Sequence, residues 1–156
     1  MDNKPQSQYE IIIQAPVEKV WEVLRNPALL PQWMPVVKHM VCDEIKVGGT
    51  RSCDIETQGQ KGHVTERFVE VIPQRKLSWV FDEENFGFSD VTLNLKHVVI
   101  LTPKNDKTTL VRKELHYELN KEADSKAKEM WKQVWNWDAK FYVESLKDFV
   151  EKTAGT

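Results

Sequence analysis

KEADSKAKEMWKQVWNWDAKFYVESLKDFVEK, residues 121–152, contains neither Pro nor Gly and is rich in strong helix formers. It predicts one helix of about 30 residues, ~45 Å long at 1.5 Å per residue, enough to cross a whole sheet. At roughly 100° per residue, Ala127, Trp131, Val134, Trp135, Phe141, Tyr142, Ser145 and Phe149 fall within roughly 60° of Asp138. Glu129, Lys132, Asn136, Lys140, Lys147 and Glu151 share the opposite side, which reads as solvated. Trp137 and Val143 lie off the main stripe and mark a modest patch for a partner or a second copy. Such a stripe is hidden only if the rest of the chain supplies a surface to lay it on.

Working back from that helix, the chain changes to strand patterns. Residues 36–46, 50–57, 63–72, 76–82, 91–102 and 108–119 are the candidates, separated by turn residues at 48–49, 59–62, 73, 85–87 and 103–107. Six consecutive strands with short connections imply an antiparallel meander. Residues 8–14 (QYEIIIQ) read as a further strand, halted by Ala15-Pro16. Pro16 suits a helix start, and Val17, Val20, Trp21 and Leu24 then share one face until Asn26-Pro27 ends the helix. A second short helix, ALLPQW, follows between prolines. The expected fold is α+β: a long antiparallel sheet with two short helices after the first strand, covered on one face by the long C-terminal helix, around which it curls only if its strands bend. The space between sheet and helix becomes either core or pocket.

The 156 residues read as one domain, 1–156. Lys plus Arg number 22 against 24 Asp plus Glu, a net charge of −2, so the basic excess of a nucleic-acid binder is missing. At 40% apolar and 29% charged the composition is globular. No run approaches the ~20 apolar residues of a membrane span, and MDNKPQSQYE has no apolar signal core, so the expectation is a cytoplasmic protein without integral membrane association. Cys42 and Cys53 flank the Gly48-Gly49 turn and are read as reduced thiols, a bridge across the hairpin being the alternative. His39, Cys42, Cys53 and His63 lack the C-x-x-C spacing of a zinc site, and strand positions 39 and 42 point to opposite faces. No metal and no cofactor are expected. Phosphate-binding, dinucleotide and hydrolase motifs do not occur.

Three stretches carry a family likeness: YEIIIQAPVEKVWEVLRNPALLPQWMPVV; VGGTRSCDI with VTERFVEVIPQRKLSWVF; and LTPKNDKTTLVRKEL. They resemble the START-like, polyketide-cyclase superfamily (SRPBCC, helix-grip fold). That resemblance implies the helix-grip form: a curved seven-stranded antiparallel sheet wrapped around the long C-terminal helix, enclosing a pocket for a mostly apolar ligand. Lipid carriers, hormone-binding proteins, polyketide aromatases and cyclases, and regulators share the scaffold, so function is argued from the site.

Asp138 has two readings: a cavity carboxylate that serves a ligand, or a structural partner of a buried cation. The first predicts that Asp138→Asn melts no lower than wild type but loses affinity for polar-headed ligands. His97 alternates with Val91, Leu93, Leu95, Val99 and Leu101 on one face of its strand, as a wall residue or a pocket base. Tyr117, beside Leu115 and Leu119, and Trp79, beside Leu77 and Phe81, are placed inward by the same alternation. Phe86 and Phe88 bracket Gly87 in a loop that either gates a pocket mouth or pins itself to the sheet, and Trp33-Met34 invite the same pair of readings. Arg51 and Arg67 read as solvated or edge cations, with pairing to Asp138 or a ligand acid as the alternative.

The expected ligand set is therefore Trp79, Phe86, Phe88, His97, Tyr117, Trp131, Val134, Asp138, Phe141 and Tyr142, with Asp138 and His97 the catalytic candidates. The reading is a carrier or sensor for a small hydrophobic or aromatic molecule, working as a monomer or weak homodimer. The alternative is an aromatase, cyclase or dehydratase using cavity acid and base groups. A protein-binding regulator rests on fold analogy alone.

Overall fold

In the computed structural model, which describes residues 4–154, the chain runs β1 (Ser7–Ile13), α1 (Val17–Leu24), α2 (Leu30–Trp33), then β2 (Val37–Cys42), β3 (Thr50–Thr57), β4 (Gln60–Ile72), β5 (Lys76–Glu84), β6 (Thr92–Pro103) and β7 (Thr109–Leu119). It ends in α3 (Ser125–Ala154). The strands form one antiparallel sheet in the order β1-β7-β6-β5-β4-β3-β2, so the first strand closes the meander beside the last. Register shifts in the β2–β3, β4–β5 and β6–β7 pairings bend the sheet. The sheet curls around α3, which lies over β1 and β7 and touches α1 and α2. The α+β helix-grip architecture is as expected.

The face that α3 buries differs from expectation. Trp135, Ala139, Tyr142, Val143, Leu146 and Val150 are the buried line. At roughly 100° per residue its centre lies about 90° round from Asp138. Asp138 therefore sits on the flank of the stripe, its side chain 21% exposed. Val143 is core rather than a partner patch, while Trp137 is 40% exposed and stacks on Phe141. Part of the side read as solvated rests on β1: Ser7 donates to Asn136 at 2.6 Å, and Lys147 donates to the Ile12 carbonyl at 2.7 Å.

On β6 the period-two pattern holds from Leu95 onward and fails at Leu93, which is exposed. A bulge lies between Leu93 and Lys96, with Asn94 at φ +57, and one extra residue inverts the faces. Cys42 and Cys53 are free thiols. Cys53 registers with Met40 and Cys42 with Arg51, so the two cysteines are diagonal neighbours rather than a cross-strand pair. No helix of the described residues is long and apolar enough to cross a membrane.

Candidate functional site

Four charged side chains meet between the concave face of the sheet and α3. Alternation places Arg51 on β3, Glu66 on β4 and Lys113 on β7 inward among Cys53, Phe68, Trp79, Val111 and Leu115, all buried. The register sets Arg51 opposite Glu66, and a guanidinium Nη2 donates to Glu66 Oε2 at 2.6 Å. Lys113 Nζ donates to Asp138 Oδ2 at 3.1 Å across the sheet–helix gap. The cations are also held by rings. Arg51 lies 5.1 Å from the Phe68 centroid and 5.3 Å from that of Trp79, while Lys113 lies 3.9 Å from Tyr142 and 5.0 Å from Trp79. Two cations and two anions balance, which is the condition for burying ions at tolerable cost.

Burial pulls Arg51 down, but Glu66, together with Cys53 and Tyr142, outweighs it and the guanidinium stays above its ordinary value. For Lys113 burial wins: its ammonium is held below the usual lysine range despite Asp138. Burial raises the Tyr142 hydroxyl and pushes the Cys53 thiol up to about 12, Glu66 adding to the latter.

His97 stands at the centre. It registers with Trp79, and the two rings stack 5.1 Å apart at 12°. Phe81 and Trp135 meet it edge-on at 5.1 and 5.8 Å. Burial, with Lys113 and Arg51 nearby, holds the imidazole well below its ordinary value, so it is neutral at neutral pH. Its Nδ1 lies 3.8 Å from Asp138 Oδ2, which is too long for a hydrogen bond and is not an ion pair for a neutral ring. Among the described residues neither ring nitrogen has a hydrogen-bond partner, nor have Trp135 Nε1 and Arg51 Nε. Leaving such a group unsatisfied costs about 1–3 kcal/mol. A neutral imidazole offers one donor and one acceptor, and the indole one more donor.

Of the residues singled out in sequence, Trp79, His97, Phe88, Trp131, Asp138 and Tyr142 come together here. Phe88 is buried against Phe81, Trp131 and Trp135. Phe86 lies over Gly62, on the β3–β4 hairpin. Val134 is half-buried, Phe141 pairs with Trp137, and Tyr117 belongs to the β1 seam, where its hydroxyl bonds Ser7 and its N–H meets Gln6. Trp33 is pinned edge-on to Tyr142 at 5.0 Å. Arg67 is a surface cation paired with Asp82, as expected; Arg51 is interior, against expectation. Sequence reasoning missed Glu66 and Lys113, although Val64, Glu66, Phe68 and Val111, Lys113, Leu115 alternate inward.

Between the sheet and α3 the rings of Trp79, Phe81, Phe88, His97, Trp131 and Trp135 stand against one another as an aromatic box. Two surface clefts lie elsewhere, one of about 350 Å³ bordered by Asp54, Lys61, His63 and Asn85, the other by Gln8, Tyr9, Glu10 and Arg112. His63 faces Asp54 at 2.8 Å, and among the described residues no three metal-ligating side chains come together.

A sheet-and-helix chain with so few chemical motifs is placed by comparison. Its structure is similar to an aromatase/cyclase (Zhui) from Streptomyces sp. R1128, with TM-score 0.79 and 14% identity over 94% of this chain and 93% of that one. It is also similar to a START superfamily protein from Mycobacterium smegmatis, with TM-score 0.74 and 17% identity over 94% and 97%. Norcoclaurine synthase from Thalictrum flavum, solved with dopamine and hydroxybenzaldehyde, gives TM-score 0.74 and 12% identity over 93% and 85%. At these identities the likeness is one of fold. No curated protein sequence matches. Residues 4–151 match the family described as polyketide cyclase / dehydrase and lipid transport, and the chain belongs to it.

Proposed function

We propose that the protein binds a small aromatic or amphipathic molecule between the sheet and α3 and acts as a carrier or sensor. The observation that carries this reading is the set of unpartnered polar atoms on His97 and Trp135, buried among aromatic rings. A fold that needed only a core has no use for them, since an apolar residue of similar shape removes the penalty. A ligand hydroxyl or carbonyl satisfies them while its apolar body replaces ring contacts. The family membership supports the same class of activity.

The test compares 2-naphthol with naphthalene on wild type and His97→Phe. The variant is expected to melt no lower than wild type. Its affinity for 2-naphthol should fall about tenfold, the equivalent of one ~1.4 kcal/mol hydrogen bond, with naphthalene binding unchanged. Equal loss for both probes, or none for either, contradicts the reading.

A catalytic reading has one observation in its favour: a neutral imidazole 3.8 Å from a carboxylate that is itself bonded to a buried lysine. That set suits proton removal beside a carbonyl, as in dehydration or ring closure of a β-hydroxycarbonyl compound. In that case His97→Phe abolishes turnover of such a substrate rather than only weakening its binding.

A further inference from the structure

We propose that Phe88 is an internal occupant of the ligand site, carried on a strap of residues 85–91 that Glu84 latches shut, and that the ring of an aromatic ligand takes its place. The inference rests on the ligand-binding reading above and adds where the ligand's ring sits and what it must displace. Between β5 and β6 the chain turns inward at Gly87, φ +90, a left-handed position that only glycine adopts freely. The next residue drops its ring into the box. Phe88 meets Phe81 at 5.1 Å, Trp135 at 5.2 Å and Trp131 at 5.7 Å, each edge-on. Phe81 and Trp135 are the same rings that meet His97 edge-on, so Phe88 lies one ring away from the unpartnered imidazole.

The ring itself makes only apolar contacts, which a ligand ring can replace one for one. The strap is held by hydrogen bonds, and the middle of it is gathered on one carboxylate. Glu84 Oε1 accepts the N–H groups of Phe86 and Gly87 at 2.8 Å and of Phe88 at 3.3 Å. Its Oε2 accepts the Ser89 N–H at 3.1 Å and hydroxyl at 2.5 Å. Phe86 steadies the outer edge by lying so close over Gly62 that a Cβ there would overlap its ring. Secondary ties run from Thr92 Oγ1 to the Phe88 carbonyl and from Asn120 Nδ2 to the Asp90 carbonyl. The two ends of the strap are anchored at Asn85 to His63 and at Val91 to Asn120. Freeing Phe88 therefore means releasing the Glu84 latch and the Thr92 and Asn120 side-chain ties while the β5–β6 ladder stays intact. Ligand affinity is scaled by the fraction of molecules with the latch open.

Phenol titration and amide hydrogen exchange on wild type, Glu84→Gln and Phe88→Ala test this. Glu84→Gln is diagnostic because ring and box are intact and only the latch is weakened. It should bind phenol about three- to tenfold tighter than wild type. Phenol saturation of wild type should speed exchange at the amides of residues 86–89. Phe88→Ala should bind phenol at least tenfold tighter; if that variant does not fold, the other two readings decide. Wild type that binds phenol with the strap amides unmoved, or Glu84→Gln no tighter than wild type, overturns the strap and leaves the ligand-binding reading standing. Loss of 2-naphthol binding by wild type is the separate result that removes the ligand-binding reading.

Discussion

Replacing Asp138 with Asn removes the carboxylate that bonds Lys113, whose side chain is 1% exposed. The new amide oxygen can still accept one hydrogen bond, so what is lost is charge. Lys113 then either stays charged without a counter-ion or releases its proton. Release at pH 7 costs about 1.36 kcal/mol for each of the ~3.4 units below an ordinary lysine pKa, ~4.6 kcal/mol in all, which is the ceiling. Breaking a buried pair typically costs about 3–5 kcal/mol, and the partial exposure of Asp138 trims this to about 2–4 kcal/mol. For a chain of this size that is a fall in Tm of about 5–15 °C. This reverses the expectation drawn from sequence, where Asp138 was free to lose its charge. The sign with pH follows. Lys113 in the folded variant has its pKa below the unfolded value, so the unfolded chain binds more protons, and the defect shrinks as pH rises from 7 toward 10. Lys113→Met on top of Asp138→Asn removes the stranded charge and should return stability to within about 1 kcal/mol of wild type. Urea denaturation of wild type, both single variants and the double variant measures the cycle. Single variants within ~0.5 kcal/mol of wild type, or a double variant whose loss is the sum of the two, would refute the buried pair.

His97 is buried neutral, so below about pH 6.5 the unfolded chain takes up a proton that the folded chain refuses, and stability falls with acid; His97→Phe should flatten that slope, and the wild-type His97 ring should titrate well below an ordinary histidine. Gly62→Ala should cost about 1 kcal/mol and raise exchange at the strap, because the added Cβ displaces the Phe86 ring, which can swing aside; unchanged stability and exchange would show that the ring does not rest there. Cys53, with its thiol pushed up to about 12, should resist a thiol reagent at about pH 7.5 in the folded protein and react in urea; mass spectrometry of the modified peptide decides.

The six-strand meander, the separate first strand, the two short helices and the long helix were legible because turn residues fall between period-two runs and because residues 121–152 hold no breaker. Nothing in the sequence sets β1 beside β7. The orientation of α3 was harder to read. Trp131, Phe141 and Phe149 are large and draw the apparent stripe toward Asp138, whereas the fully buried line runs through the smaller Val143, Leu146 and Val150. Asp138 was thus assigned to the wrong part of the face. Lys113 hid in the run Arg112-Lys113-Glu114, where three charges in a row mask alternation, and only the flanking Val111 and Leu115 mark it as inward. Leu93 was misplaced because a bulge leaves no mark beyond an Asn that tolerates positive φ. Phe88 could be read as gate or pin, and the choice depended on ring packing that forms only in three dimensions.

The indole N–H of Trp135 is the most direct reporter of a ligand head group, since it is buried, unpartnered among the described residues and distinct from the surface indole of Trp137. In ¹⁵N-labelled protein titrated with 2-naphthol, the Trp135 indole resonance should shift saturably and in step with the His97 ring, while Trp137 stays put. A shift confined to Trp137, or a Trp135 resonance that does not move as 2-naphthol binds, would contradict an interior ligand site.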